Sequence, residues 1–170
     1  MKPDFSDIRF TTIDNTVLSY WIQETGANYA IVWVKIPSIS TTGTQLYLYY
    51  GNPGTESLSN GETTFLFFDQ FDGSTVNTTR WAKSGDVTVS NSIATLNTVN
   101  EKLFSIPTFG SNTAMHARAA MNPSIWGIIG FGDDNNLAAF YSNYPTMGTY
   151  NGLNRVNGPF YPNFPFLWCS

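Results

Sequence analysis

The side chains here that could do chemistry are a few carboxylates, one histidine and a large stock of aromatic rings. Retaining glycosidases need two carboxyl groups about 5–5.5 Å apart, one a nucleophile and one an acid. Asp69 with Asp72 and Asp133 with Asp134 are the closest pairs, and both sit among turn-forming residues. Solvated turn side chains are the expected reading of both. Glu24, Glu56, Glu62 and Glu101 each stand apart from other carboxylates. No catalytic residue is expected, and the chain reads as a non-enzyme.

His116 is the only histidine, so any Ser-His-Asp or Cys-His arrangement would run through it. It lies in the alternating stretch AMHARAA, on the face shared with Arg118, which suits a surface strand position. With a single His and a single Cys, zinc is excluded. Calcium takes several oxygen ligands, and Asp69 and Asp72 offer them, as does the cluster from Asp133 to Asn136; neither has the spacing of a calcium loop. A structural calcium at Asp69 and Asp72 is the one cofactor the sequence offers.

Flat rings stack on the apolar faces of pyranoses while neighbouring amides exchange hydrogen bonds with hydroxyls. Trp126, Tyr141, Tyr144 and Tyr150, with Asn135, Asn136 and Asn143, form the candidate ligand platform. Trp21, Trp33 and Trp81 are expected in the core.

These side chains need a scaffold, and the composition names its class. With 13 Phe, 9 Tyr and 5 Trp against 12% charged residues, the chain favours pleated, half-buried surfaces over helices. A net charge of -4 with scattered Lys and Arg leaves no basic stripe for phosphates, so nucleic acid is not an expected partner. Apolar runs stay far below the roughly 20 residues that span a bilayer, and MKPDFSD lacks the apolar core of a signal peptide. Cys169 has no partner for an internal disulfide.

In chain order, strands are expected at Asp7–Thr12, Val17–Gln23, Tyr29–Ile36 and Gln45–Tyr50, with a first hairpin turning at Asp14-Asn15. YAIVWVKI has two apolar faces and reads as an interior strand. After Gly51-Asn52-Pro53-Gly54 and a polar linker comes FLFFDQFDGSTVNTTRW, read as a buried entry strand followed by a turn. Beyond Trp81, a hairpin is expected at Asp86–Val89 and Ile93–Leu96, a strand at Thr113–Met121, and another hairpin from Ser124–Phe131 to Leu137–Ser142. The last thirty or so residues fade into Asn, Gly, Pro and Tyr, and NGPFYPNFPFLWCS carries no periodicity, its repeated prolines arguing against central strands. The apolar ending on Phe166, Leu167, Trp168 and Cys169 reads as a chain cut short.

Two resemblances follow from these segments. DFSDIRF, LSYWI, AIVWVKIPSIS, LYLYYGNP and the Ser59-Asn60-Gly61 step resemble the C-terminal part of a domain of unknown function, family 2341. That kinship implies a large bacterial or archaeal surface protein, entered in mid-domain. FFDQFDGSTVNTTRW and the strand pair around GFGDDNN are similar to concanavalin A-like lectin and glucanase domains. This implies an antiparallel jelly-roll β-sandwich, incomplete at this length, that binds or cleaves polysaccharide. The catalytic Glu-x-Asp-x-x-Glu strand of the glucanases is missing.

The expectation is an all-β chain with a partial N-terminal domain at 1–62 and a truncated lectin-type sandwich at 63–170. Its role would be carbohydrate recognition or adhesion outside the cell or at its surface. The partners would be a glycan or polysaccharide, other copies, or the rest of a larger surface protein, with no membrane insertion by this chain. The alternatives are an assembly module without a ligand and a fragment of a glycoside hydrolase.

Overall fold

The computed structural model describes residues 1–110, 112–120, 127–132, 137–143, 146–151, 154–157 and 167–168, with side chains described through residue 132. The chain divides into two compact units, Met1–Asp72 and Gly73–Ser170. Apart from one short helix, the described elements are β-strands in antiparallel ladders, as the aromatic and β-branched composition predicts.

In the first unit β1 (Arg9–Thr12) turns back at Asp14-Asn15. The Asn15 N–H donates to the Thr12 carbonyl at 3.1 Å, and Asn15 adopts a left-handed φ of 61°, which asparagine tolerates well. An antiparallel bridge from Thr11 to Val17 continues the turn into β2 (Tyr20–Thr25). β2 pairs with β3 (Ala30–Val34), with a register shift between Ile22 and Glu24. β4 (Leu46–Tyr49) returns to pair with β1, from Arg9 opposite Tyr49 to Thr12 opposite Leu46.

The interior position expected for β3 is not what the fold provides. Among the described residues β3 pairs with β2 alone, and Ile31 is 43% exposed. Pro37 and the loop after it lead the chain away, and the next strand is taken by β1 instead of by the outer edge of β3.

The stretch after the polar linker also departs from expectation. No strand starts at Phe65: Gly61–Thr64 form one helical turn, α1, and residues 65–80 carry no strand. Asn60 caps α1, its side-chain oxygen accepting from the N–H groups of Glu62 at 2.9 Å and Thr63 at 3.2 Å. The rings beyond it fold back within the first unit. Phe65 packs edge-on against Trp21 and Trp33, with centroids at 5.8 and 5.7 Å, and Phe68 packs against Trp21 at 4.8 Å. Trp21 and Trp33 face each other across the β2–β3 ladder, so the two phenylalanines cover an aromatic face already present. Gly61 permits this closure, because a Cβ there would lie 2.3 Å from the Phe68 ring.

The second unit nests one hairpin inside another. β5 (Trp81–Ser84) pairs with β8 (Lys102–Ser105), and between them β6 (Thr88–Ser90) pairs with β7 (Ile93–Thr95). Asn91 and Ser92 both have positive φ, 52° and 59°, the geometry that fits the twist of a two-residue hairpin. The expected long strand at Thr113–Met121 shrinks to β9 (His116–Ala117), although side chains still alternate in exposure along it. A four-stranded meander follows, β10 (Gly127–Gly132), β11 (Leu137–Asn143), β12 (Thr146–Asn151) and β13 (Asn154–Asn157). β12 and β13 lie ahead of the Pro-rich stretch NGPFYPNFPFLWCS, which they enter only at Asn157. Both contain no proline, so the prolines around them interrupt the pattern without entering the ladders. β14 (Leu167–Trp168) pairs with β9. The described ladders have two or four strands and do not close into a sandwich.

Each unit has its own apolar centre. Ile8, Leu18 and Tyr20 are buried in the first, and Val76, Val87 and Val89 in the second.

Candidate functional site

Asp7, Asp69 and Glu101 commit their carboxylates to main-chain N–H groups. Asp7, only 3% exposed, accepts from the Lys2 N–H at 2.8 Å and the Gly51 N–H at 2.6 Å. The Lys2 bond, assisted by that from Gly51, holds its carboxyl below the usual carboxylate range despite the opposing effect of burial. Asp7 thereby ties the DFSDIRF segment to the LYYGNP turn, where Gly51 has a φ of +98° that favours glycine.

Glu101 plays the same part in the second unit. It accepts from the N–H groups of Asn97, Thr98 and Asp86, joining both sides of the neck from which the β6–β7 hairpin projects. The Thr98 bond is the main cause of its lowered pKa.

Asp69 accepts from the Phe71 N–H at 2.7 Å, the local turn expected of an aspartate there, and Asp72 accepts from the Gln70 amide at 2.6 Å. Among the described residues no three His, Cys, Asp or Glu side chains converge as a metal group would require. His116 lies exposed on β9, at the surface position its alternating segment suggests.

Of the proposed sugar platform, Trp126, Tyr144, Asn135 and Asn136 lie outside the described residues, as does the cluster from Asp133 to Asn136. Tyr141 and Asn143 lie on β11 and Tyr150 on β12, opposite Gly148, Thr146 and Arg155 respectively; their side chains are outside the described set.

A second aromatic platform, in the first unit, is described in full. Tyr47 and Tyr49 alternate on β4 and so share a face, with ring centroids 6.5 Å apart and planes inclined at 50°. They are 38% and 49% exposed. The Tyr49 hydroxyl donates to Asn15 Oδ1 at 3.3 Å, which leaves the Asn15 amide nitrogen to donate to a ligand. The strand register and the turn at Asp14-Asn15 thus put two open rings and a side-chain amide together. Sequence reasoning read QLYLYY as a strand but passed over its alternate tyrosines, whose spacing of two was the available signal.

The same unit holds a tighter constellation around Tyr20, 1% exposed. Its hydroxyl donates to the Ile8 carbonyl at 2.9 Å and accepts from the Leu58 N–H at 3.2 Å and the Arg9 guanidinium at 3.3 Å. The Tyr20 carbonyl accepts from the Asn60 N–H at 2.8 Å, and the Ile22 N–H donates to Ser59 Oγ at 2.8 Å. Segments that stand out in DFSDIRF, LSYWI and the Ser59-Asn60-Gly61 step therefore meet at one point.

Residues 4–84 match the family described as a domain of unknown function, DUF2341. The DUF2341 match covers the whole Tyr20 constellation, the Asp7–Gly51 tie and the Tyr47–Tyr49 face, and runs on through β5. No curated protein and no solved structure matches the chain. No helix among the described residues is long and apolar enough to cross a membrane.

Proposed function

We propose that this chain is a non-catalytic β module of an extracellular or cell-surface protein, and that it recognises carbohydrate. The observation that carries this reading is the open Tyr47–Tyr49 pair, two stacking surfaces on one strand face with the side-chain amide of Asn15 brought beside them by the Asp14-Asn15 turn. On this reading the second unit is a concanavalin A-like module whose Trp126, Tyr141, Tyr144 and Tyr150 form another aromatic contact. The carboxylates support a non-catalytic role, since Asp7, Asp69 and Glu101 spend their oxygens on main-chain N–H groups. A glycan array probed with the full chain and with Tyr47→Ala and Tyr49→Ala tests the proposal. Binding that weakens in both variants supports it, and the absence of any bound glycan sinks it.

An assembly role is a second reading, favoured by the outer edges of β3 and β4, which pair with nothing among the described residues. Sedimentation over a range of concentrations separates the two, because self-association through these edges rises with concentration and needs no glycan.

A further inference from the structure

The surroundings of the Tyr47–Tyr49 face restrict what it can hold. Resting on the carbohydrate reading above, we infer that this face takes a neutral glycan as a single soluble chain, and neither an acidic polysaccharide nor a crystalline surface.

The first unit has three basic side chains, Lys2, Arg9 and Lys35, against eight Asp and Glu. Each base is already bonded to main-chain carbonyls: Lys2 to Thr55 at 2.6 Å, Lys35 to Thr63 at 3.2 Å, and Arg9 to Ser6, Ile8 and Glu56. Recognition of uronate or sulfate depends on a guanidinium or ammonium aimed at the anion. Here those groups are turned to the unit's own backbone. An acidic sugar would meet a net negative unit with its cations engaged, whereas the hydroxyls of a neutral sugar need only the amide of Asn15 and the rings.

Ring geometry supplies the second restriction. Stacking requires a sugar face parallel to each ring. Planes inclined at 50° cannot both lie against one flat crystal face, but successive sugars of a free chain can rotate about their linkage to meet both. The 6.5 Å between centroids is close to the ~7 Å rise of two strand residues, so the two rings form steps along β4.

The test uses the full chain in calorimetric titrations with neutral oligosaccharides (cello-, xylo- and laminari-series) and acidic ones (oligogalacturonate and hyaluronan fragments), plus sedimentation with microcrystalline cellulose. The expected result is binding of at least one neutral soluble series, insensitive to salt and weakened about tenfold by Tyr49→Ala. Tyr49→Phe, which keeps the ring and loses only the bond to Asn15, should retain most of the affinity. Tighter binding of acidic oligosaccharides, or binding to crystalline cellulose alone, would overturn this inference and leave carbohydrate recognition standing. Neutral glycans that bind a Tyr47→Ala/Tyr49→Ala double variant as well as the parent would overturn the assignment to this face. If nothing binds in any arm, the carbohydrate reading itself falls along with the inference.

Discussion

Tyr20 donates its phenolic hydrogen to the Ile8 carbonyl at 2.9 Å while the same oxygen accepts from the Leu58 N–H at 3.2 Å, so one buried hydroxyl joins the start of the DUF2341 match to the approach of α1. Tyr20→Phe removes that oxygen with little change of shape and strands the Leu58 N–H, while the Ile8 carbonyl keeps its bond from the Arg9 guanidinium. Unsatisfied buried polar groups cost about 1–3 kcal/mol each, and partial rescue by water brings the expected loss to the low end of that range. Urea unfolding of the full chain, followed by tryptophan fluorescence, measures it.

Gly61 and Gly43 make an informative pair. An added Cβ at Gly61 lies 2.3 Å from the Phe68 ring, whereas at Gly43, with φ +99°, it meets nothing within 4 Å. Gly61→Ala must displace the ring from Trp21 and should cost about 1–3 kcal/mol, as overpacking does. Gly43→Ala suffers only left-handed strain, about 1–2 kcal/mol. The first should also change the tryptophan emission of the folded state, and the second should leave it unaltered.

Asn60→Ala removes the acceptor for the Glu62 and Thr63 N–H groups, and a lost cap costs about 1 kcal/mol. Asn60→Asp keeps the acceptor and should restore most of it. Thermal melts of the two variants against the parent test the ranking.

Acid should loosen both units, since Asp7 and Glu101 have folded pKa values below their ordinary 3.8 and 4.5. A carboxylate depressed in the folded state binds fewer protons than in the unfolded one, so its contribution is complete above the ordinary value. It is lost progressively as pH falls through the lowered folded value. Asp7→Asn should lower stability at neutral pH and flatten the acid limb of the stability curve, read from unfolding midpoints at successive pH values. Unchanged acid sensitivity in both Asp7→Asn and Glu101→Gln would contradict the assignment.

Local chemistry was legible in the sequence wherever a turn residue announced itself. Asp14-Asn15, Asn91-Ser92 and Asp69 all act as their types suggest, because an Asx side chain or a left-handed φ is decided within three or four residues. Strand pairing was less legible. The apolar run YAIVWVKI looks interior from either face, yet what covers Trp33 is Phe65, a contact that alternation cannot encode. The role of Phe65 and Phe68 was missed for the same reason, since a Phe run after a polar linker can open a new ladder or close an old one. Tyr47 and Tyr49 were hidden among 27 aromatic residues, and only their exposure separates them from core rings.

The joining of Tyr20 to Ser59 and Asn60 has one more consequence. It gathers the chain at both ends of a long excursion, so that β2, β3 and β4 hang from a closed base. A break within the exposed polar turn at Ser40–Thr44 would leave both fragments anchored to that base. This turn is therefore the natural place to splice in a foreign segment.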